Sequence, residues 1–109
     1  MTRYLLASAA SALAVSPQLA VTPSTAAPGA LVRIHGNAGA CPAGDTVTAI
    51  SSAFPGHAYG KGALTGRVRA HGAFSFTGHL RKGAKPGRYA VTARCGGGNL
   101  GVVAHVRVR

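Results

Sequence analysis

Alternation of apolar and polar residues with period two runs through the chain from residue 19 onward, with no helical period. Leu19 and Val21 alternate with Gln18, Ala20 and Thr22 and predict a first strand. A second strand, over 31–35, sets Val32 and Ile34 against Arg33 and His35. The third covers 46–51, where the pattern leaves the inward set open between Val47 with Ala49 and Ile50. In the fourth, 64–70, Leu64 and Val68 point inward and Arg67 and Arg69 outward. Phe74, Phe76 and Leu80 share one face of the fifth, opposite Ser75, Thr77 and His79. The sixth places Tyr89, Val91, Ala93 and Cys95 against Arg88, Thr92 and Arg94. The seventh sends Val102, Ala104, Val106 and Val108 inward and His105, Arg107 and Arg109 outward. Successive side chains on a strand point to opposite faces, so this pattern describes sheets with one dry and one wet side.

Proline and glycine punctuate the strands. Residues 23–29 form a turn, 36–44 a loop holding Cys41, and 52–62 a longer connection with Phe54 and Tyr59. His71-Gly72 reads as a tight hairpin turn, 81–87 as a basic loop, and the glycines at 96–98 as a turn before the last strand. Seven short strands with turns about 8–12 residues apart predict an all-β fold, a seven-stranded immunoglobulin-like antiparallel sandwich. There is no Trp, and Tyr89 stands six residues before Cys95, so the architecture is shared with immunoglobulin domains but not their signature.

The amino terminus does not follow this pattern. Arg3 supplies a short positive region, residues 4–15 are mostly apolar and rich in Ala and Ser, and Ala12 and Ala14 offer an A-x-A cleavage site. Residues 1–14 are read as a secretory signal, with alternative cleavage points to about residue 18, and 15–109 as one sandwich domain. The apolar stretch falls short of the roughly 20 residues a membrane span needs. Export makes the two cysteines meaningful. In an oxidising compartment a single pair has one connectivity, Cys41–Cys95. The staple matters because the 47% of hydrophobic residues are mostly Ala and Val, which make a thin core.

Val21-Thr22-Pro23-Ser24-Thr25-Ala26-Ala27-Pro28-Gly29, then Val32-Arg33-Ile34-His35-Gly36 and Cys41-Pro42-Ala43-Gly44, resembles the opening of small exported immunoglobulin-like proteins of actinobacteria. Gly72-Ala73-Phe74-Ser75-Phe76, the run from Lys85 to Gly97 and the valine-rich ending fit the same pattern. The resemblance implies a secreted or surface-associated sandwich. Over the first two strands the chain is also similar to neocarzinostatin-type apoproteins, which implies a small-ligand cleft. That family has two disulfides and tends to be acidic, whereas one cysteine pair and a basic charge stand here.

Chemistry is constrained by what the chain lacks. Asp45 is its one acidic side chain, so paired-carboxylate catalysis is excluded, and no GxSxG elbow marks a nucleophile. No catalytic residue, metal site or cofactor is expected, and Asp45 is read as a partner of local backbone or arginine. The five histidines fall on outward or turn positions and form no HxH or HxxxH pair. Phe54 and Tyr59 are candidate ligand contacts in the long connection, the basis of an alternative reading as a small-ligand carrier or secreted inhibitor.

Charge carries most of the functional content. Twelve Lys and Arg against one acid give +11, and loss of Arg3 with the signal lowers this by one. Arg81, Lys82, Lys85 and Arg88 surround the connection between the fifth and sixth strands. Antiparallel pairing of the last two strands then brings Arg107 and Arg109 to the same pole. Arg33, Arg67 and Arg69 are read as a second group on the opposite sheet. The six residues at the pole are candidate anion-binding residues, with an affinity steep in salt and low in specificity. The aromatic platform of single-strand nucleic-acid binders is missing. The chain is therefore read as a monomeric, exported structural or adhesive module drawn to anionic cell-envelope polymer. It needs no specific nucleic acid and has no transmembrane span in its mature part.

Overall fold

The computed structural model describes residues 16–56 and 63–109. The expected signal segment 1–14, His57 and Tyr59 lie outside them. Alternation becomes strands with the expected faces. In β1 (Gln18–Thr22) Val21 is buried, and β2 (Thr25–Ala26) buries Ala26. Val32 and Ile34 are buried and Arg33 exposed in β3 (Leu31–Asn37). β4 (Thr46–Ile50) buries Val47 and Ala49 and leaves Ile50 half-buried, which settles its inward face. β5 (Leu64–Arg67) is short, and Val68 stays buried just beyond it, its amide donating to the Asp45 carbonyl at 2.9 Å. Phe74 is buried in β6 (Ala73–His79), with Ser75, Thr77 and His79 exposed. Val91, Ala93 and Cys95 are buried in β7 (Gly87–Cys95), and Val106 and Val108 in β8 (Gly98–Val108).

The strands form two sheets, ordered β1-β3-β6 and β2-β8-β7-β4-β5. Their inner faces share one core. Val21, Val32, Ile34 and Phe74 come from the first sheet, and Val47, Val91, Val106 and Val108 from the second. Where β5 and β6 face each other, glycines act as sockets. A Cβ on Gly66 would overlap the Phe76 ring, and one on Gly78 would overlap Leu64. Two large side chains thus fill space that two small residues vacate.

Three expectations need correction. Eight strands and one 3-10 turn are present among the described residues, rather than seven strands. The extra strand is β2, inside the segment expected to be only a turn, and it pairs parallel with β8. It exists through backbone bonds: Arg107 N–H donates to Ser24 O at 2.7 Å and Arg109 N–H to Ala26 O at 3.0 Å. His71-Gly72 is not a hairpin turn. β5 and β6 belong to different sheets, and residues 70–72 carry the chain across. Gly72 is required there. Its φ is 82° and a Cβ would lie 2.6 Å from Asn37 Oδ1.

Cys41, in the β3–β4 connection, is bonded to Cys95, the last residue of β7, with a Cα–Cα distance of 6.4 Å. Cys95 stands opposite Val47 in the ladder. The bond therefore fastens the segment that leaves the first sheet to the middle of the second.

Candidate anion-binding site

The β6–β7 connection, residues 80–86, is fastened at both ends and left open between. Leu80 and Ala84 are buried, and the Leu80 amide donates to Ala30 O at 2.9 Å. Lys82, Gly83, Lys85 and Pro86 are exposed and Arg81 half-buried. Tyr89, at the start of β7, donates its hydroxyl to the Lys85 carbonyl at 2.6 Å and holds the loop against the sheet.

Arg88 and Arg107 are opposite each other in the β7–β8 ladder, both exposed, and Arg109 follows at the end of β8. Arg81, Lys82 and Lys85 belong to the connection that enters β7 at this same end. The strand directions thus bring the six expected cations to one pole. Like charges directly opposite on a sheet repel. Asp45 gives no relief, because it precedes β4 near Cys95, at the far end of β7.

The second basic group is not a group. Arg33 lies on β3 of the three-stranded sheet and donates to Ser75 Oγ at 3.2 Å. Arg67 is on β5 of the other sheet and donates to Gly44 O at 2.9 Å. The shared sheet was inferred from an alternation that records only which side faces inward.

The ligand-loop expectation also changes. Phe54 is fully buried, 0% exposed, so it packs in the core and offers nothing to a ligand. A turn directs it inward: Phe54 N–H donates to Ser51 O at 3.1 Å and Ala53 N–H to Ser51 Oγ at 3.1 Å. Beside it the surface dips into an open hollow of about 780 Å³, lined by Pro55, His79, Arg81 and Lys82 with Gly29 and Gly83. Sequence reasoning missed Gly29, Pro55, His79 and Gly83, which come from three separate stretches of chain.

Elsewhere, Cys41, Asp45 and Cys95 place donor atoms within 4.8 Å of one another, with Asp45 Oδ2 3.6 Å from Cys41 Sγ. Both sulfurs are spent in the disulfide, so the trio offers a metal only a carboxylate. His35 bonds Thr22 Oγ1 at 2.9 Å, His79 bonds Gly29 O at 3.0 Å, and His105 lies on an outward position of β8. The glycines at 96–97 make the short β7–β8 turn, pinned by Arg94 donating to Gly97 O at 2.7 Å. No helix among the described residues is long and apolar enough to cross a membrane.

No family model and no curated sequence matches the chain. Three solved chains align with this one, two of them as follows. Yersinia pseudotuberculosis adhesin InvE aligns with a TM-score of 0.58 at 20% identity, over 84% of this chain and 26% of that one. Pseudomonas fluorescens alkylpurine DNA glycosylase AlkC, bound to DNA containing an abasic site analog, aligns at 0.49 with 22% identity, over 84% and 29%. The chain spans less than a third of either structure. At such identities the likeness to InvE is one of fold, a β-rich domain.

Proposed function

We propose that this protein is an exported, basic, immunoglobulin-like adhesive module that binds anionic polymer of the cell envelope and catalyses nothing. The observation that carries the reading is the Arg88–Arg107 pair. Two exposed cations opposite each other, at a pole with four more and no acidic side chain, store repulsion that a polyanion relieves. The cystine supports export, since such bonds persist in oxidising compartments. The immunoglobulin-like part of the reading is supported by an N-terminal segment shared between the two sheets. InvE, whose fold is similar over most of this chain, is an adhesin.

Sedimentation with isolated cell walls tests the proposal. The protein is expected to pellet with walls at about 50 mM NaCl and to be released as salt approaches about 500 mM, because binding by charge neutralisation is steep in salt. Failure to pellet at low salt, or retention at about 1 M, contradicts it.

A further inference from the structure

Within the basic pole, Arg81 is held differently from its neighbours. Its amide donates to Ala53 O at 2.8 Å, its carbonyl accepts from Ala84 N–H at 3.1 Å, and its Nε donates to Ser52 O at 2.8 Å. A guanidinium fixed through Nε keeps its terminal nitrogens for a ligand and loses little further freedom on binding. Nη1 stands 4.0 Å from the position a Cβ would take on Gly83, so the missing side chain at 83 leaves its approach open. Lys82 and Gly29 form a wall of the hollow: Lys82 Cγ lies 3.4 Å from where a Cβ on Gly29 would stand, and the φ of 79° there suits glycine. His79 braces that wall. Its Nδ1–H donates to the Gly29 carbonyl at 3.0 Å, since a carbonyl only accepts. The lining contains no acidic side chain.

We infer that this hollow receives a phosphoryl group carried on an organic body of roughly sugar size, with Arg81 as the anchoring donor and Lys82 as the second cation. The inference rests on the anion-binding reading above and narrows it to one chemical group at one place. Charge selects the group: a phosphate ester with about −1.5 to −2 charges matches two cations, where a carboxylate matches one. Size selects the body. About 780 Å³ lies in the range of small-molecule sites and far exceeds what a bare oxyanion fills. A glycan bearing phosphate monoesters and the monoester headgroup of phosphatidic acid both present this chemistry.

The test is an NMR titration of the 15N-labelled protein with glucose 6-phosphate and, as a carboxylate of the same size, glucuronate. Glucose 6-phosphate is expected to shift the Gly29, Lys82 and Gly83 amides and Arg81 Nε–H, and to bind about tenfold more tightly than glucuronate. Arg81→Gln is expected to weaken it about tenfold, and Arg81→Lys, which keeps the charge but loses the Nε bond, to restore only part. Gly83→Val provides a charge-neutral control. Its φ is not positive, so a side chain is tolerated there, and the added bulk blocks Nη1. Equal affinity for the two sugars, shifts centred on Arg88 and Arg107, or parent-like binding by Arg81→Gln and Gly83→Val overturns the inference. Lost sugar-phosphate binding with wall retention intact would sink this site alone. The converse would sink only the envelope-polymer reading. Displacement of glucose 6-phosphate by a glycan bearing phosphate monoesters in preference to phosphatidic acid vesicles assigns the source to a glycan, and the reverse to lipid.

Discussion

Replacing both Cys41 and Cys95 by serine is expected to remove about 4 kcal/mol from the free energy of unfolding. The bond closes a loop with a sequence separation of 54 in the unfolded chain, and the lost closure entropy is the source of the effect. Typical domains have only about 5–15 kcal/mol in total. In a domain of this size the thermal midpoint is expected to fall by about 15–30 °C. The residues around Cys41 do not replace the staple. Cys41 N–H bonds Ala38 O at 3.2 Å and Asp45 N–H bonds Pro42 O at 3.2 Å, so they shape the connection locally. They do not fasten it to β7. Denaturant unfolding of the oxidised protein and the double-serine variant gives the difference directly, and a change below about 1 kcal/mol would show that the connection is held by other means.

Phe54→Ala is the second large effect. The ring is fully buried, one of the two largest wholly enclosed side chains among the described residues, in a core otherwise built mainly of valine and alanine. Truncation leaves a cavity that small neighbours cannot close, at a cost of about 3–5 kcal/mol. An exposed ligand-contacting aromatic would change stability by no more than about 0.5 kcal/mol. The measurement therefore decides between the two roles of this residue. A urea midpoint equal to the parent's would return Phe54 to the surface and contradict the packing described here.

Phe54 also shows where the sequence was hard to read. It stands beside Pro55 and Gly56, punctuation that signals a surface turn, yet the Ser51 bonds fold its side chain beneath that turn. The faces of β3, β6, β7 and β8 were legible, because burial on one side imposes alternation residue by residue. β2 was not, since two residues paired through backbone alone leave no periodic trace. Nor was the crossing at residues 70–72. His-Gly favours the left-handed backbone of a hairpin, and the same backbone serves a change of sheet. Alternation states which way a side chain faces, and it is silent on which strand lies alongside. For the same reason Arg33 and Arg67 were grouped and are apart, whereas Arg88 and Arg107 were correctly joined, being on consecutive antiparallel strands. The hollow was beyond reach of sequence, because Gly29 and His79 meet only after β3 pairs with β6.

The salt dependence of binding to poly(glycerol phosphate) by the parent and the Arg88→Gln/Arg107→Gln variant tests the central claim most directly. Removing two phosphate contacts is expected to make the slope of log affinity against log salt shallower, by up to about 1.4 for a single-chain polyphosphate. Folding stability should be unchanged or higher, since the variant loses a repulsive pair and keeps most of the side-chain stems. An unchanged slope would mean that these arginines do not meet the polymer, and the pole would then be only a charged surface.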